Sequence, residues 1–235
     1  MKKLSQITDP SSKVVSPAAA DTAIFYSINS TLKGLAGSGL GEKMIILGKK
    51  HLGEKYPRLK NFATLSPVPL FRSYLETVLS DKKHSFRLTR QKIDENRNNR
   101  FFRKTDLKEC AEAMGKSGLS PGECLKATLA VERWYENPAL RSRMEQPLLS
   151  FLQYYLVREK QPEKGGQTPP TRACDSVANF HLGNGACLGG LNYLANLSER
   201  GLRESYGLMV NYIYEGKKLD ENKLAYGHGK VVVSL

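Results

Sequence analysis

The feature that most constrains this chain is a change of hydrophobic period between residues 22 and 56. Thr22-Ala23-Ile24-Phe25-Tyr26-Ser27-Ile28 is rich in β-branched and aromatic residues and bounded by Asp21 and Asn29, which predicts a strand. Both of its faces are largely apolar, so a central place in a sheet is expected. Gly34, Gly37, Gly39 and Gly41 follow, and then Met44-Ile45-Ile46-Leu47 and Leu52 give an apolar face at helical spacing through about Tyr56. The predicted order is therefore strand, glycine turn, helix. The order also bears on function. A glycine turn that opens a helix offers unblocked backbone N–H groups at the positive end of the helix dipole, so Ala36, Gly37, Ser38, Gly39, Leu40, Gly41 and Glu42 form a candidate phosphate seat. An ordinary turn is the competing reading, because the stretch has neither the Gly-Lys-Ser/Thr ending of a P-loop nor a dinucleotide fingerprint.

Asn61-Phe62-Ala63-Thr64-Leu65 predicts a second strand, which runs into Ser66-Pro67-Val68-Pro69, where two prolines are expected to end the ladder. A hydroxyl at the C-terminal end of a parallel strand is where such sheets often place ligand groups. Ser66 has a second reading as the cap of a helix that begins near Pro69 and carries Phe71, Tyr74, Leu75 and Val78 at helical spacing. Helices then take over. One runs from Thr105 or Asp106 to about Lys116. Ser120-Pro121-Gly122-Glu123 is a capping box opening a helix to about Trp134, and Asn137-Pro138 starts a long packed helix ending near Arg158. Glu159 to Thr171, with its prolines and glycines, reads as a connector.

The stretch Asn179-Phe180-His181-Leu182-Gly183-Asn184-Gly185-Ala186 draws attention next. A histidine followed by two glycines that bracket an asparagine predicts a tight turn holding an imidazole at a fixed angle. Histidine is also the side chain whose ordinary pKa suits proton transfer near neutrality. The competing reading is a satisfied core histidine beside a loop. Residues 186 to 196 look helical, Ser198-Glu199 can open a short helix, and Gly207 to Tyr214 predicts a strand with Tyr212 and Tyr214 on the face opposite Asn211. Val231-Val232-Val233 is expected either to pair as a strand or to begin a helix.

Composition excludes some classes. The chain has 235 residues, 40% of them hydrophobic, enough for one core of respectable size. Its net charge of +13 invites a nucleic-acid reading. Residues 81 to 104, however, hold nine Lys or Arg against three acids, so much of the excess sits in one polar segment, read as a solvated basic insertion with no zinc-finger or RNA-binding signature. Neither nucleic-acid nor membrane partners are expected, since no apolar run approaches the ~20 residues of a span. Cys110, Cys124, Cys174 and Cys187 form no Cys-x-x-Cys pair and read as free thiols. No metal site is expected. Residues 1–20 are expected to be a disordered leader. With no secretory signal and no peroxisomal Ser-Lys-Leu ending, a cytoplasmic or mitochondrial location is expected.

Three stretches together resemble the catalytic domain of the malonyl-CoA decarboxylase family. They are Ala23–Ile28 with its glycine turn, Leu65-Ser66-Pro67-Val68-Pro69, and residues 177–186, continuing through residues 191–195 and 207–212. The resemblance implies an α+β fold like that of the GNAT acyltransferases: a mixed β-sheet flanked by helices, with a splayed pair of central strands and an additional helical insertion at residues 105–158. It assigns residues 21–235 to a partial catalytic domain. It implies that the helical N-terminal domain and first strands of the family are absent, leaving an open edge for a second copy or another chain to complete. It also implies that Ser66 and His181 are catalytic, that Tyr214 corresponds to the active-site tyrosine, and that residues 36–42 bind the pyrophosphate of CoA.

The reaction implied is loss of CO2 from malonyl-CoA to give acetyl-CoA through a thioester enolate, in fatty-acid metabolism. Ser66 would orient the malonyl carboxylate, His181 would protonate the α-carbon, and Asn184 or nearby backbone N–H groups would lie near the thioester oxygen. No cofactor is expected beyond the CoA thioester that is the substrate. The alternatives are a GNAT-like acyltransferase, against which the retention of both Ser66 and His181 argues, and an inactive truncated relative that binds CoA or a partner.

Overall fold

The computed structural model describes residues 3–11, 16–26, 40–80, 112, 118–119, 121–161 and 171–234. The glycine turn as far as Gly39, the side chains of Leu40 and Glu42, the basic segment 81–104, the helix expected to end at Lys116 (Glu112 apart) and most of the connector lie outside the described residues.

One strand near the C-terminus organises the sheet. β1 (Thr22–Phe25) runs parallel to β2 (Asn61–Thr64), which is followed at once by the two-residue β3 (Ser66–Pro67). β4 (Cys187–Asn192) and β5 (Met209–Ile213) complete the set. β5 pairs antiparallel with β2 at Ala63↔Ile213, with β3 at Ser66↔Val210 and Pro67↔Met209, and on its other side with β4. The result is a mixed sheet flanked by helices, as the α+β expectation requires.

Around it lie α1 (Ser5–Thr8), α2 (Leu40–Lys55), α3 (Phe71–Ser80), α4 (Pro121–Leu129), α5 (Pro138–Arg158), α6 (Ser176–Gly183), α7 (Glu199–Ser205) and α8 (Leu219–Gly227). The long α5 starts where Asn137 Oδ1 accepts from the N–H groups of Ala139 and Leu140, with Pro138 in the first turn. It buries Leu140, Met144, Leu148, Leu152 and Tyr155 in the main core with Leu188 and Val210 of the sheet. At roughly 1.5–3 kcal/mol for each large apolar side chain buried, this face dominates the packing. A smaller cluster of Leu65, Ala195 and Met209 takes in Leu4 and Ile24.

Several expectations change. β1 is the edge strand among the described strands, not a central one. Its two apolar faces have a different cause: Ile24 meets the small cluster and Phe25 the main core, so alternate residues serve two layers. Pro67 does not end the ladder but belongs to it. On this register Tyr214 N–H donates to Phe62 O and Leu65 N–H to Phe25 O, so even positions bond toward β5 and odd ones away from it. Proline at 67 therefore removes no donor from the β5 side. Of the two readings of Ser66, the cap is not realised: its hydroxyl turns to other partners, described below.

Residues 186–196 are not helical; they hold β4. Its Gly189-Gly190 pair lies at the register shift between Leu188 and Leu191. A Cβ at Gly189 would stand 2.6 Å from the Ile213 side chain, and one at Gly190 2.8 Å from Asn211 Oδ1. The glycines permit close approach to β5, which overrides the helical spacing of the flanking apolar residues. α4 stops at Leu129 rather than near Trp134, and Arg133, at φ 52°, turns the chain into a short 3-10 segment that buries Trp134. Within the leader, Leu4 N–H donates to Ala195 O at 2.7 Å ahead of α1. Of the two readings of the C-terminal valines, pairing is realised through a parallel bridge of Val233 with Leu188.

His181 lies in the last turn of α6, not in a turn of its own. The tight turn comes just after it. Ala186 N–H donates to His181 O (3.1 Å) and Gly185 N–H to Leu182 O (3.0 Å), the double closure of a Schellman motif. Gly185 sits at φ 84°, and a Cβ there would stand 2.3 Å from Leu219 O. Its carbonyl accepts from the buried Asn222 Nδ2 of α8 at 3.0 Å. Gly185→Ala is therefore expected to lower stability by about 2 kcal/mol or more, from left-handed backbone strain plus the displaced Leu219 backbone, read as a lower urea midpoint at unchanged slope.

Candidate active site

β3, β5 and α6 bring three of the expected residues together. Ser66 Oγ lies 3.1 Å from His181 Nε2, and Tyr214 Oη lies 2.8 Å from His181 Nδ1. These groups are far apart in sequence. α6 carries the imidazole, and its N-terminus is fixed by Asp175, whose Oδ1 accepts from the N–H groups of Val177 and Ala178. Tyr214 follows β5, with its carbonyl accepting from Lys49 Nζ of α2 at 2.7 Å. Tyr212, on the same side of the strand, stacks its ring on the imidazole at 4.6 Å between centroids and 23° between planes. Phe180 meets the same ring edge-on at 5.0 Å.

Ser66 has a second partner. Its hydroxyl donates to Thr64 Oγ1 at 2.8 Å, and Thr64 Oγ1 also accepts the Tyr212 N–H at 3.0 Å. Tyr214, His181, Ser66 and Thr64 thus form one row of hydrogen bonds. With Tyr214 donating to Nδ1, Nε2–H donates to Ser66 and Ser66 to Thr64. The opposite tautomer reverses every member. Such a row moves a proton from end to end with no change of heavy-atom positions.

Electrostatics fix the charge state. Ser66, His181 and Thr64 are all buried, at 5%, 5% and 1% exposure. Burial pushes the His181 pKa down to about 3, so the imidazole is neutral at physiological pH. Burial raises the Tyr212 phenol well above its ordinary value. It also raises the Asp175 carboxyl, opposed by the N–H groups of Ala178, Leu70 and Val177.

The other expected residues are placed differently. Asn184 caps α6 at its C-terminus, with its N–H turned back to His181 O and Phe180 O, and it makes no described contact with Ser66 or Tyr214. α2 begins at Leu40, so the helix that the glycine turn was expected to open is present; Ala36, Gly37, Ser38 and Gly39 lie outside the described residues. Thr64 was missed as a site residue. Its signal was available, since residues two apart in a strand share a face, and Thr64 and Ser66 stand in that relation across the β2–β3 junction. Among the described residues no group of three His, Cys, Asp or Glu is placed to hold a metal, and no helix is long and apolar enough to cross a membrane.

This α+β domain buries a neutral imidazole between two hydroxyls, groups chemically able to give or take a proton. Comparison with known proteins narrows the class. The family model for the malonyl-CoA decarboxylase C-terminal domain matches residues 1–235. Mitochondrial malonyl-CoA decarboxylase of Mus musculus is 36% identical over 206 residues, and that of Rattus norvegicus 34% over 204; each alignment covers 87% of this chain and 37% of the relative. The crystal structure of malonyl-CoA decarboxylase from Agrobacterium vitis matches with TM-score 0.78 at 30% identity, over 99% of this chain and 48% of that one. That from Rhodopseudomonas palustris matches with TM-score 0.75 at 27% identity, over 99% and 45%. The chain belongs to the malonyl-CoA decarboxylase family and corresponds to its C-terminal domain. It spans well under half the length of the curated relatives it matches.

The buried imidazole makes a pH signature. Because its folded pKa lies below the unfolded value near 6.5, the unfolded chain takes up a proton that the native site refuses. The stability this group contributes is whole above pH 6.5 and is lost as pH falls toward about 3. The slope difference between wild type and His181→Asn, from urea denaturation across that window, is expected to approach one proton, or about 1.4 kcal/mol per pH unit.

Proposed function

We propose that the chain carries the site for decarboxylation of malonyl-CoA to acetyl-CoA and CO2, with Ser66, His181 and Tyr214 as its catalytic residues. The observation that carries this reading is the Tyr214–His181–Ser66 row, in a chain of this family. The C–CO2 bond breaks, its electron pair passes to the α-carbon and the thioester oxygen as an enolate, and CO2 leaves. Ser66, which donates to Thr64 in the free site, turns its O–H to the malonyl carboxylate when substrate binds and holds the scissile bond, leaving His181 with Nε2–H. His181 then gives its Nε2 proton to the α-carbon while Nδ1 takes the Tyr214 proton, which solvent restores. Neutral imidazole is a weak acid alone, and simultaneous resupply at Nδ1 spares it from becoming imidazolate. Asn184 or backbone N–H groups face the thioester oxygen, and Ala36 to Glu42 seat the pyrophosphate of CoA at the start of α2.

The scheme uses the CoA thioester alone, with no metal ion or organic cofactor. The edge position of β1 favours a second copy or another chain beside it. Of the two expected compartments, the names of the mouse and rat relatives favour the mitochondrial one.

Purified chain is expected to release CO2 and form acetyl-CoA from malonyl-CoA, and His181→Asn to lower kcat by roughly 100- to 10,000-fold. Tyr214→Phe, which keeps the ring but ends the resupply at Nδ1, is expected to lower kcat at nearly constant KM. Acetyl-CoA production by His181→Asn at the wild-type rate would refute the assignment, and acyl transfer without CO2 release would favour an acyltransferase.

A further inference from the structure

We infer that Thr64 is a positioning residue of this site, setting the direction in which the hydroxyl of Ser66 and hence the imidazole of His181 hold their protons. The inference deepens the decarboxylase reading and rests on it for the rate predictions, but not for the spectroscopic one. The evidence begins in the sheet. The pairs Ala63↔Ile213 and Ser66↔Val210 belong to one continuous register, which sets Tyr212 opposite Thr64. Regular antiparallel pairing here would send Tyr212 N–H to the Thr64 carbonyl. Instead Tyr212 N–H donates to Thr64 Oγ1 at 3.0 Å, and the Thr64 carbonyl accepts from Asn211 Nδ2 at 2.6 Å. Asn211 is itself held, its Oδ1 accepting from Asn192 Nδ2 of β4 at 2.8 Å. Two side chains have replaced one rung of the ladder.

That replacement has a consequence for proton direction. A hydroxyl oxygen offers two lone pairs, and the Tyr212 N–H occupies one of those on Thr64. Of the remaining lone pair and the Thr64 proton, it is the lone pair that faces Ser66 Oγ, which donates across 2.8 Å. Ser66 is then an acceptor toward His181, which requires Nε2–H and leaves Nδ1 to accept from Tyr214. This is the tautomer that the proton-delivery step needs, so an anchored threonine selects it through two intervening hydrogen bonds. Thr64 is 1% exposed, and its effect on the reaction passes entirely through Ser66.

The test compares Thr64→Val, which keeps the shape and removes the hydroxyl, with Thr64→Ser, which keeps the hydroxyl, in the whole chain. In protein with 15N-labelled histidine, the His181 ring is assigned by its loss in His181→Asn. Thr64→Val is expected to move its two nitrogen shifts toward the other tautomer, and Thr64→Ser to restore them. This readout does not need turnover, so it stands even where the wild type fails to form acetyl-CoA, an outcome that would sink the decarboxylase reading instead. Given turnover, Thr64→Val is expected to lower kcat about 10- to 100-fold at nearly constant KM, with Thr64→Ser recovering most of the loss. Adding Thr64→Val to Ser66→Ala is expected to cost no further rate. Should Thr64→Val not fold, Thr64→Ala against Thr64→Ser carries the same comparison. Unchanged ring shifts in a folded variant lacking the hydroxyl, or a full additional loss on the Ser66→Ala background, would overturn the assignment.

Discussion

A neutral imidazole buried out of water has two polar edges, and each must find a partner. A buried donor or acceptor left unmade costs about 1–3 kcal/mol. Much of the architecture follows from meeting that requirement for His181. Nδ1 needs a group from beyond β5 and Nε2 a group from β3, so these two segments and α6 must converge to within hydrogen-bond reach. α6 is fixed at its start by Asp175 and at its end by the Gly185 turn, and α8 holds that turn through Asn222 and holds Asn179 through the Tyr226 hydroxyl. The aromatic face of Tyr212 then closes the flat side of the ring. Removing any of these supports would leave the imidazole present but free to tilt.

The sheet yields locally so that the site can form. A regular ladder consumes the backbone donors and acceptors of neighbouring strands and leaves side chains to stand above and below. Between β2 and β3 that rule is relaxed: Thr64 and Asn211 supply side-chain groups where backbone would have paired, and a threonine hydroxyl comes to lie within reach of Ser66. The opposite side of β5 yields too, at the Gly189-Gly190 register shift, where the Asn192 amide comes to bear on Asn211. Both irregularities fall on the same central strand. Strand departures that re-aim a side chain are common beside functional sites, and here the re-aimed group has an identifiable receiver.

The legible part of the fold was the part set by local chemistry. Asn137-Pro138 opens α5 and Ser198 opens α7, because a cap is a contact between near neighbours. The α+β class came from the resemblance to the family rather than from the order of strand, glycines and helix in the first sixty residues. β4 was not legible, since its glycines are explained only by atoms of β5 that lie some twenty residues further on. The edge position of β1 was hidden for a similar reason: an apolar residue on each face looks the same whether two layers or two neighbouring strands require it. Ser66, His181 and Tyr214 were singled out together by resemblance rather than by spacing, for nothing in their separation announces a meeting. Thr64 went unread because threonine in a strand is ordinary, and its use emerges only when the rung it replaces is seen to be missing.

The two halves of the proposed chemistry, holding a phosphate and delivering a proton, share a mechanical link. α2 begins at Leu40, and about two and a half turns later Lys49 Nζ donates to the carbonyl of Tyr214 at 2.7 Å while lying 5.3 Å over the ring of Phe62. Burial lowers the Lys49 pKa, and the neighbouring Glu215 opposes that shift. Lys49 thereby ties α2 to the backbone of the tyrosine whose hydroxyl meets His181 Nδ1. On physical grounds the brace fixes the backbone from which the Tyr214 hydroxyl reaches His181 Nδ1.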